Sequence, residues 1–486
     1  MVSYLGVMVG YVNTLYFRAE YFTLEQIGLF TLVTAHAMTV SPFSLLGMGS
    51  TYVKYFPSFQ EKDRNRFFSF LFIITLTGCT LVLLTGYVLK DVIASRYIDT
   101  APDYIDFMFI TAIVIVSNSL FDLFTNYSRS IMKVVFPSFM RDIYLRLGSL
   151  FLVIGYAFEW WDFTSAVFGL GIVYIMAFVF LFLQLSLFYG FRFDFRIGIV
   201  DTKWKKNILK FGSYSMFVAG SFALYNNASY DQITAYLGTD ATGIFQTCFF
   251  IALVVEMPRR NMSKIIGPII STESQRDNLK EIESLYRRGS LTMGVIGMLL
   301  FIGIVTNLND LFDFIPKGEE FRNGTWVVII ICFSKLCVMI SGFAEEIINY
   351  SPLYRYNLVF QITSAVILVT SNYFLIPNYG INGAALAFLF ATLTHIVLKF
   401  SFVGYHFKIY PLTKSHIPLV IISIIVLVAA FWFQPAWHPI ISITLRSTVT
   451  VLILLPLVYY FKISEDINRL ISSTFERFLK IKGRNE

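Results

Sequence analysis

Asn118, Asp122 and Asn126 recur at intervals of four inside an apolar run, a spacing that puts all three on one face of a helix. A later run carries Asn226, Asn227, Tyr230 and Asp231, and the next opens with Gln246. His36, Arg146 and Lys335 interrupt further apolar runs singly. Charged and amide groups at membrane depth are costly unless they face a cavity or one another, so each is a functional candidate. Arg146 is the partner expected for the face of Asn118, Asp122 and Asn126, which reads either as a polar clamp or as a site. Asp122 and Asp231 are candidates for coupling to a proton or sodium ion, because a desolvated carboxylate changes affinity when its cavity opens. His36 has the chemistry of a proton sensor near neutral pH, or packs as a satisfied histidine. Lys335 either neutralises a neighbouring carboxylate or lies between lobes.

The elements that must position these groups follow from composition. The chain has 486 residues, 56% hydrophobic and 14% charged, against roughly 25% charged in soluble domains. A soluble protein is excluded, and an all-α integral membrane protein of about fourteen transmembrane helices is expected. Apolar runs bounded by charge clusters place the first seven spans near 2–17, 24–48, 67–89, 104–128, 138–158, 163–190 and 211–236. The remainder fall near 240–264, 290–313, 325–348, 355–376, 380–404, 415–433 and 440–461. An even number puts both termini on one side. Placing that side in the cytoplasm leaves only Arg18, Lys90, Arg96, Lys317 and Arg322 outside and Arg146, Lys335 and Arg446 in the bilayer, a strong positive-inside bias. The net charge of +7 therefore reports orientation, and nucleic acid is not expected as a partner. The basic stretches 191–210 and 272–289 suit segments lying on an anionic leaflet.

Cys79, Cys248, Cys332 and Cys337 lack metal or redox spacing and read as packing residues. No nucleotide loop, catalytic carboxylate pair or zinc cluster is present, so neither cofactor nor metal is expected and the chain reads as a transporter, not an enzyme. The first span is short and has no basic leader, which points to a natural start upstream. Gly6 and Gly10 have the spacing that lets helices approach closely, or mark a bending hinge. Glu256 with Arg259 and Arg260, and Glu345 with Glu346 near Arg355, are expected at the membrane interface. An internal repeat is indicated by residues 23–31 (TLEQIGLFT) and 239–247 (TDATGIFQT), which align Gly28 with Gly243 and Phe30 with Phe245, and by the similar late-hairpin positions of Gly169 and Gly383.

Residues 22–30 (FTLEQIGLF), followed by 46–50 (LGMGS) and 52–56 (YVKYF), resemble the second-helix region of bacterial polysaccharide transporters. Residues 374–387 (FLIPNYGINGAALA) resemble the turn between helices 11 and 12 in the same proteins, the O-antigen and capsule flippases of the multidrug/oligosaccharidyl-lipid/polysaccharide exporter superfamily. The resemblance implies two pseudo-symmetric six-helix lobes, residues 1–210 with a cytoplasmic linker and 211–410, then two C-terminal helices and a basic tail over 411–486. It also implies a cavity lined by helices 1, 2, 7 and 8, for which Asn13, Arg18, His36, Asn226, Asn227, Tyr230, Asp231 and Gln246 are the candidates. Amides and phenols would meet saccharide hydroxyls, and Arg18, Arg146 and Lys335 are the cations available to a diphosphate. The expected function is translocation of a polyprenyl-diphosphate-linked oligosaccharide across the bacterial cytoplasmic membrane by alternating access. Membrane lipid, and H+ or Na+ as coupling ion, are the other expected partners. The alternatives are a cation-coupled multidrug antiporter of the same superfamily and an O-antigen polymerase or ligase, against which the short external loops argue.

Overall fold

The computed structural model describes residues 2–196, 202–433 and 437–482, with side chains over 6–196, 204–433 and 437–473. The linker at 197–201 and the last residues of the basic tail lie outside the described residues. The protein is an all-α integral membrane protein, and among the described residues nine helices are long and apolar enough to cross a bilayer. Every expected span coincides with helix, although several are broken, extended or joined.

The extensions share one cause. Residues Thr239–Ala252, Leu253–Glu256 and Met257–Gln275 run as 37 residues of continuous helix, about 55 Å at 1.5 Å per residue and well beyond a hydrocarbon core of about 30 Å. The next helix, Leu279–Thr306, begins after a short turn. The basic stretch 272–289 is thus a helical hairpin tip, not a separate surface segment. The seventh span likewise starts at Thr202. Charge clusters mark where hydrocarbon ends, and a helix satisfies its own backbone and continues into water.

The breaks are as informative. Helix Val2–Val12 passes through a π-turn at Asn13–Phe17 into Arg18–Tyr21, and the fifth span carries a second π-turn at Met140–Tyr144. The first span lies directly against that second turn. A Cβ on Gly6 would stand 2.1 Å from the Asp142 carbonyl oxygen, so Gly6 serves close approach, whereas one on Gly10 would make ordinary contact with the Arg146 side chain at 3.4 Å. In the second span, Thr23 and Gln26 form a capping box and the helix Leu24–Leu45 ends at two left-handed residues, Leu46 and Gly47 (φ 51° and 69°). A Cβ at Gly47 would lie 2.1 Å from the Gly212 carbonyl oxygen, so the site excludes any other residue. Helix Tyr356–Phe407 joins two spans at Gly380 (φ 59°, ψ −142°), a conformation essentially confined to glycine. There the chain folds back, and a Cβ on Gly383 would meet the Leu375 carbonyl oxygen at 2.1 Å.

The chain forms two compact units, Met1–Thr247 with Leu368–Ala384, and Cys248–Ile367 with Ala385–Glu486. The first has an aromatic core in which buried Tyr52 stacks on Phe67 and Tyr127 (centroids 5.6 and 5.4 Å) and meets Phe68 edge-on at 5.2 Å. Beside this core, Asp194 accepts from Arg66 Nε at 2.8 Å and Arg196 Nε at 2.9 Å. The hydrogen bonds from Arg196 and Arg66 hold its carboxyl well below the usual carboxylate range. Within the same unit the two repeat motifs touch: a Cβ on Gly28 would stand 1.8 Å from the Thr239 carbonyl oxygen, and one on Gly243 2.4 Å from that of Leu24.

Candidate functional site

A cavity of about 420 Å³ in the first unit is lined by Asn118, Asp122, Arg141, Tyr174, Asn226 and Asn227 on its polar side and by Met38, Pro42, Leu145 and Phe222 among its apolar walls. Helix Tyr104–Ser130 supplies Asn118 and Asp122 one turn apart, and helix Thr202–Leu237 supplies the two asparagines. Each asparagine donates back to its own helix, Asn226 to the Phe222 carbonyl at 2.7 Å and Asn227 to that of Ala223 at 2.9 Å, which fixes both amides. Asp122 is ion-paired with Arg141 Nη2, and the guanidinium lies 5.2 Å from the Phe121 ring centroid. The cavity therefore presents a carboxylate, a guanidinium, a phenol and three amides around a space walled by hydrocarbon.

The partner of Asp122 corrects the expectation, which was Arg146. A π-turn inserts one residue into the helical register, so regular-helix spacing no longer predicts which side chain faces Asp122. Arg146 lies instead along the first span, and its Nη1 is buried without a hydrogen bond. Asn126 stands apart as well. It donates to the Asp122 carbonyl at 2.8 Å and lies where a Cβ on Gly49 would come within 2.5 Å, which makes it a packing residue between helices.

A second cluster surrounds Asp231. Tyr97 Oη donates to Oδ1, Arg96 Nη2 lies 3.2 Å from Oδ2, and His36 Nδ1 lies 3.9 Å from Oδ1 and 2.8 Å from Tyr104 Oη. Asp231 thus ties helix Lys90–Tyr97 to the helices of His36 and Tyr104. Asn13 and Arg18 form a third group by converging on Ser149: Asn13 Nδ2 donates at 3.2 Å and Arg18 Nη2 at 2.7 Å, with the guanidinium 4.5 Å from the Phe30 ring centroid. Asn13 Oδ1 and Arg18 Nε are buried and carry no bond. Tyr230 is buried with its ring 5.8 Å from Phe245, and Gln246 is half-buried on helix Thr239–Ala252.

In the second unit, Lys335 Nζ lies 2.7 Å from Glu256 Oε2 and 4.9 Å from the Phe388 ring centroid, the ion pair with a neighbouring carboxylate. Glu256 is half-buried near the middle of the long helix, and Glu346 is buried with Arg259 Nη2 at 3.5 Å. Glu345 pairs with Lys399 at 3.2 Å.

Sequence reasoning missed Arg141, Tyr174, Ser149, Arg96, Tyr97 and Tyr104. Charge counting places Arg96 outside and Arg141 on the cytoplasmic side at the start of the 138–158 span, so neither is read as facing a polar site. Tyr104, Tyr174 and Ser149 lie in apolar runs, where neither type is costly enough to attract notice, and Tyr97 lies between spans.

No protein-family model matches the sequence, and no curated protein matches it. Solved structures do. The chain is similar to the lipid II flippase MurJ in an inward closed conformation, at 12% identity and TM-score 0.79 over 95% of this chain and 97% of that one. It is also similar to a multidrug resistance MATE family transporter of the MOP superfamily in an inward-facing conformation, at 12% identity and TM-score 0.65 over 83% and 94%. A third likeness is to a MOP superfamily transporter from Pyrococcus furiosus described as having a binding pocket of reverse polarity, at 11% identity and TM-score 0.56 over 84% and 95%. These matches establish that the chain has the fold of the MOP superfamily transporters.

Proposed function

We propose that the chain is a flippase that moves a lipid-linked oligosaccharide, such as an O-antigen, capsule or exopolysaccharide repeat unit, across the bacterial cytoplasmic membrane by alternating access, with both termini cytoplasmic. The observation that carries this reading is the mixed lining of the first unit's cavity, where Arg141 stands beside Asn118, Asn226, Asn227 and Tyr174. Amides and a phenol suit a hydroxyl-rich head group, and a guanidinium binds phosphate oxygens bidentately. Arg18, with a buried unbonded Nε, is a second cation for the diphosphate of a polyprenyl carrier. Asp231, held by tyrosine, arginine and histidine, is the coupling candidate for H+ or Na+.

The test is transfer of a fluorescent polyprenyl-diphosphate oligosaccharide across proteoliposome membranes, with empty liposomes as control. Protein-dependent transfer that Arg18→Ala and Asp231→Asn impair at normal membrane abundance supports the reading. Normal transfer by both variants removes Arg18 and Asp231 from the site. A second reading, a cation-coupled multidrug antiporter of the same fold, is favoured by the half-exposed carboxylates of Asp122 and Asp231. No lipid transfer, with gradient-driven movement of organic cations by the same preparation, would select it.

A further inference from the structure

The first unit has a second and larger hollow. A cleft of about 1330 Å³ runs between the outer part of helix Glu61–Val88 and helix Tyr104–Ser130, backed by Val40 and Phe43 of the second span. The buried residues of helix Glu61–Val88 stop at Cys79, and every residue from Thr80 to Leu89 is exposed or half-exposed. The last turns of this helix therefore pack little against the bundle, with Leu81, Leu84, Tyr87 and Val88 among the exposed residues and Val82 and Gly86 half-exposed. One side faces bilayer and the other faces the cleft.

Water gains little from such a lining, and an empty cleft would forfeit dispersion contacts along its whole length. In a bilayer the solvent that fills an open apolar cleft is hydrocarbon. The mouth specifies the head group. Lys90 and Asp91 lie side by side where the helix ends, both lining the cleft, and the Lys90 ammonium is 5.3 Å from the Tyr87 ring centroid. Adjacent opposite charges complement a phosphate next to an ammonium, whereas Asp91 repels a diphosphate.

We infer that this cleft is a binding site for one bilayer glycerophospholipid with a zwitterionic phosphoethanolamine head, its chains lying between helices Glu61–Val88 and Tyr104–Ser130. The lipid touches the function of the unit, because His36 and Tyr104, which line the cleft, also face Asp231. Occupancy packs the two side chains that orient that carboxylate. The inference is independent of the cargo proposed above.

Gly86 provides the test, since it lines the cleft and a Cβ there has no neighbour within 4 Å; Gly303 has equally open surroundings in the second unit and serves as control. The delipidated full chain is titrated with phosphatidylethanolamine, phosphatidylglycerol and polyprenyl diphosphate and read by native mass spectrometry. One phosphatidylethanolamine should be retained preferentially, about tenfold less tightly by Gly86→Phe and unchanged by Gly303→Phe, tenfold being 1.4 kcal/mol. The unaltered chain in vesicles carrying a diazirine-acyl phosphatidylethanolamine should give adducts on Val40 and Phe43, a readout that needs no variant to fold. Equal retention by Gly86→Phe, preference for the diphosphate, or adducts absent from residues 40–43 would overturn the assignment.

Discussion

The two units treat buried cations in opposite ways. Among the described residues of the second unit the four buried cations, Arg259, Lys335, Lys399 and Arg446, are each ion-paired, and the unbonded buried nitrogens belong to the half-exposed Arg288 and Arg322. Arg446 Nη1 bonds the Thr306 carbonyl (2.7 Å), Asn307 Oδ1 (3.0 Å) and Asp310 Oδ2 (2.8 Å), while its Nε reaches the Phe433 carbonyl at 3.0 Å. The guanidinium thereby closes the C-terminal ends of helices Leu279–Thr306 and His416–Trp432, where unpaired carbonyls and the helix dipole favour positive charge. Lys335 on Glu256 and Arg259 on Glu346 are likewise enclosed. In the first unit, Arg18 and Arg146 keep buried nitrogens without partners, and Arg141 with its carboxylate borders open space. Fully paired charges hold helices together; incompletely paired ones around a cavity retain binding capacity for something that arrives later.

The contrast is open to direct attack. Arg446→Ala should have the largest effect, because it strands Asp310 and three other acceptors; breaking one side of a buried pair costs about 3–5 kcal/mol, read as a fall in thermal stability and membrane abundance. Lys335→Met and Glu256→Gln should each destabilise by a similar amount, yet the double variant should recover most of it, since the two share one interaction. Independent, additive losses would break the idea that this pair is structural. Arg141→Ala should instead leave thermal stability within about 1 kcal/mol of the unaltered chain, as for other half-exposed pairs, and reduce oligosaccharide-lipid transfer at least about tenfold, the loss expected for a charge-assisted phosphate contact. A large stability loss there would erase the distinction between the units. The smallest effect is expected at Asp194. Its folded carboxyl is lowered by Arg196 and Arg66, so its contribution is present above the unfolded value near 3.9 and lost as pH falls through the lowered folded value. Asp194→Asn should flatten the acid limb of a stability-versus-pH curve and leave neutral pH almost unchanged.

Much of this fold was legible because lipid enforces a simple rule: apolar length means span, and flanking charge means water. The rule failed where backbone geometry intervenes. The π-turn at Met140–Tyr144 is invisible to periodicity, and it moved the partner of Asp122 from Arg146 to Arg141. Helix ends were misjudged at 264 and 290 because a charged residue ends the hydrocarbon and not the hydrogen-bond ladder. Asp231 was recognisable as costly, but its partners Tyr97 and Arg96 come from a short helix between spans, where sequence carries no depth signal. The cavity residues Asn118, Asp122, Asn226 and Asn227 were all singled out beforehand; that they share one space follows only from the packing of helices far apart in the chain.

The contact at Gly28 and Gly243 reaches beyond packing into inheritance. If the halves descend from a duplicated segment, most matched positions have been free to drift, since each answers only to its own surroundings. These two are different, because each glycine fills the space that the other copy's backbone leaves. A substitution in one copy is filtered by the other, so the ancestral likeness persists where the two copies press against each other, and the repeat remains readable there.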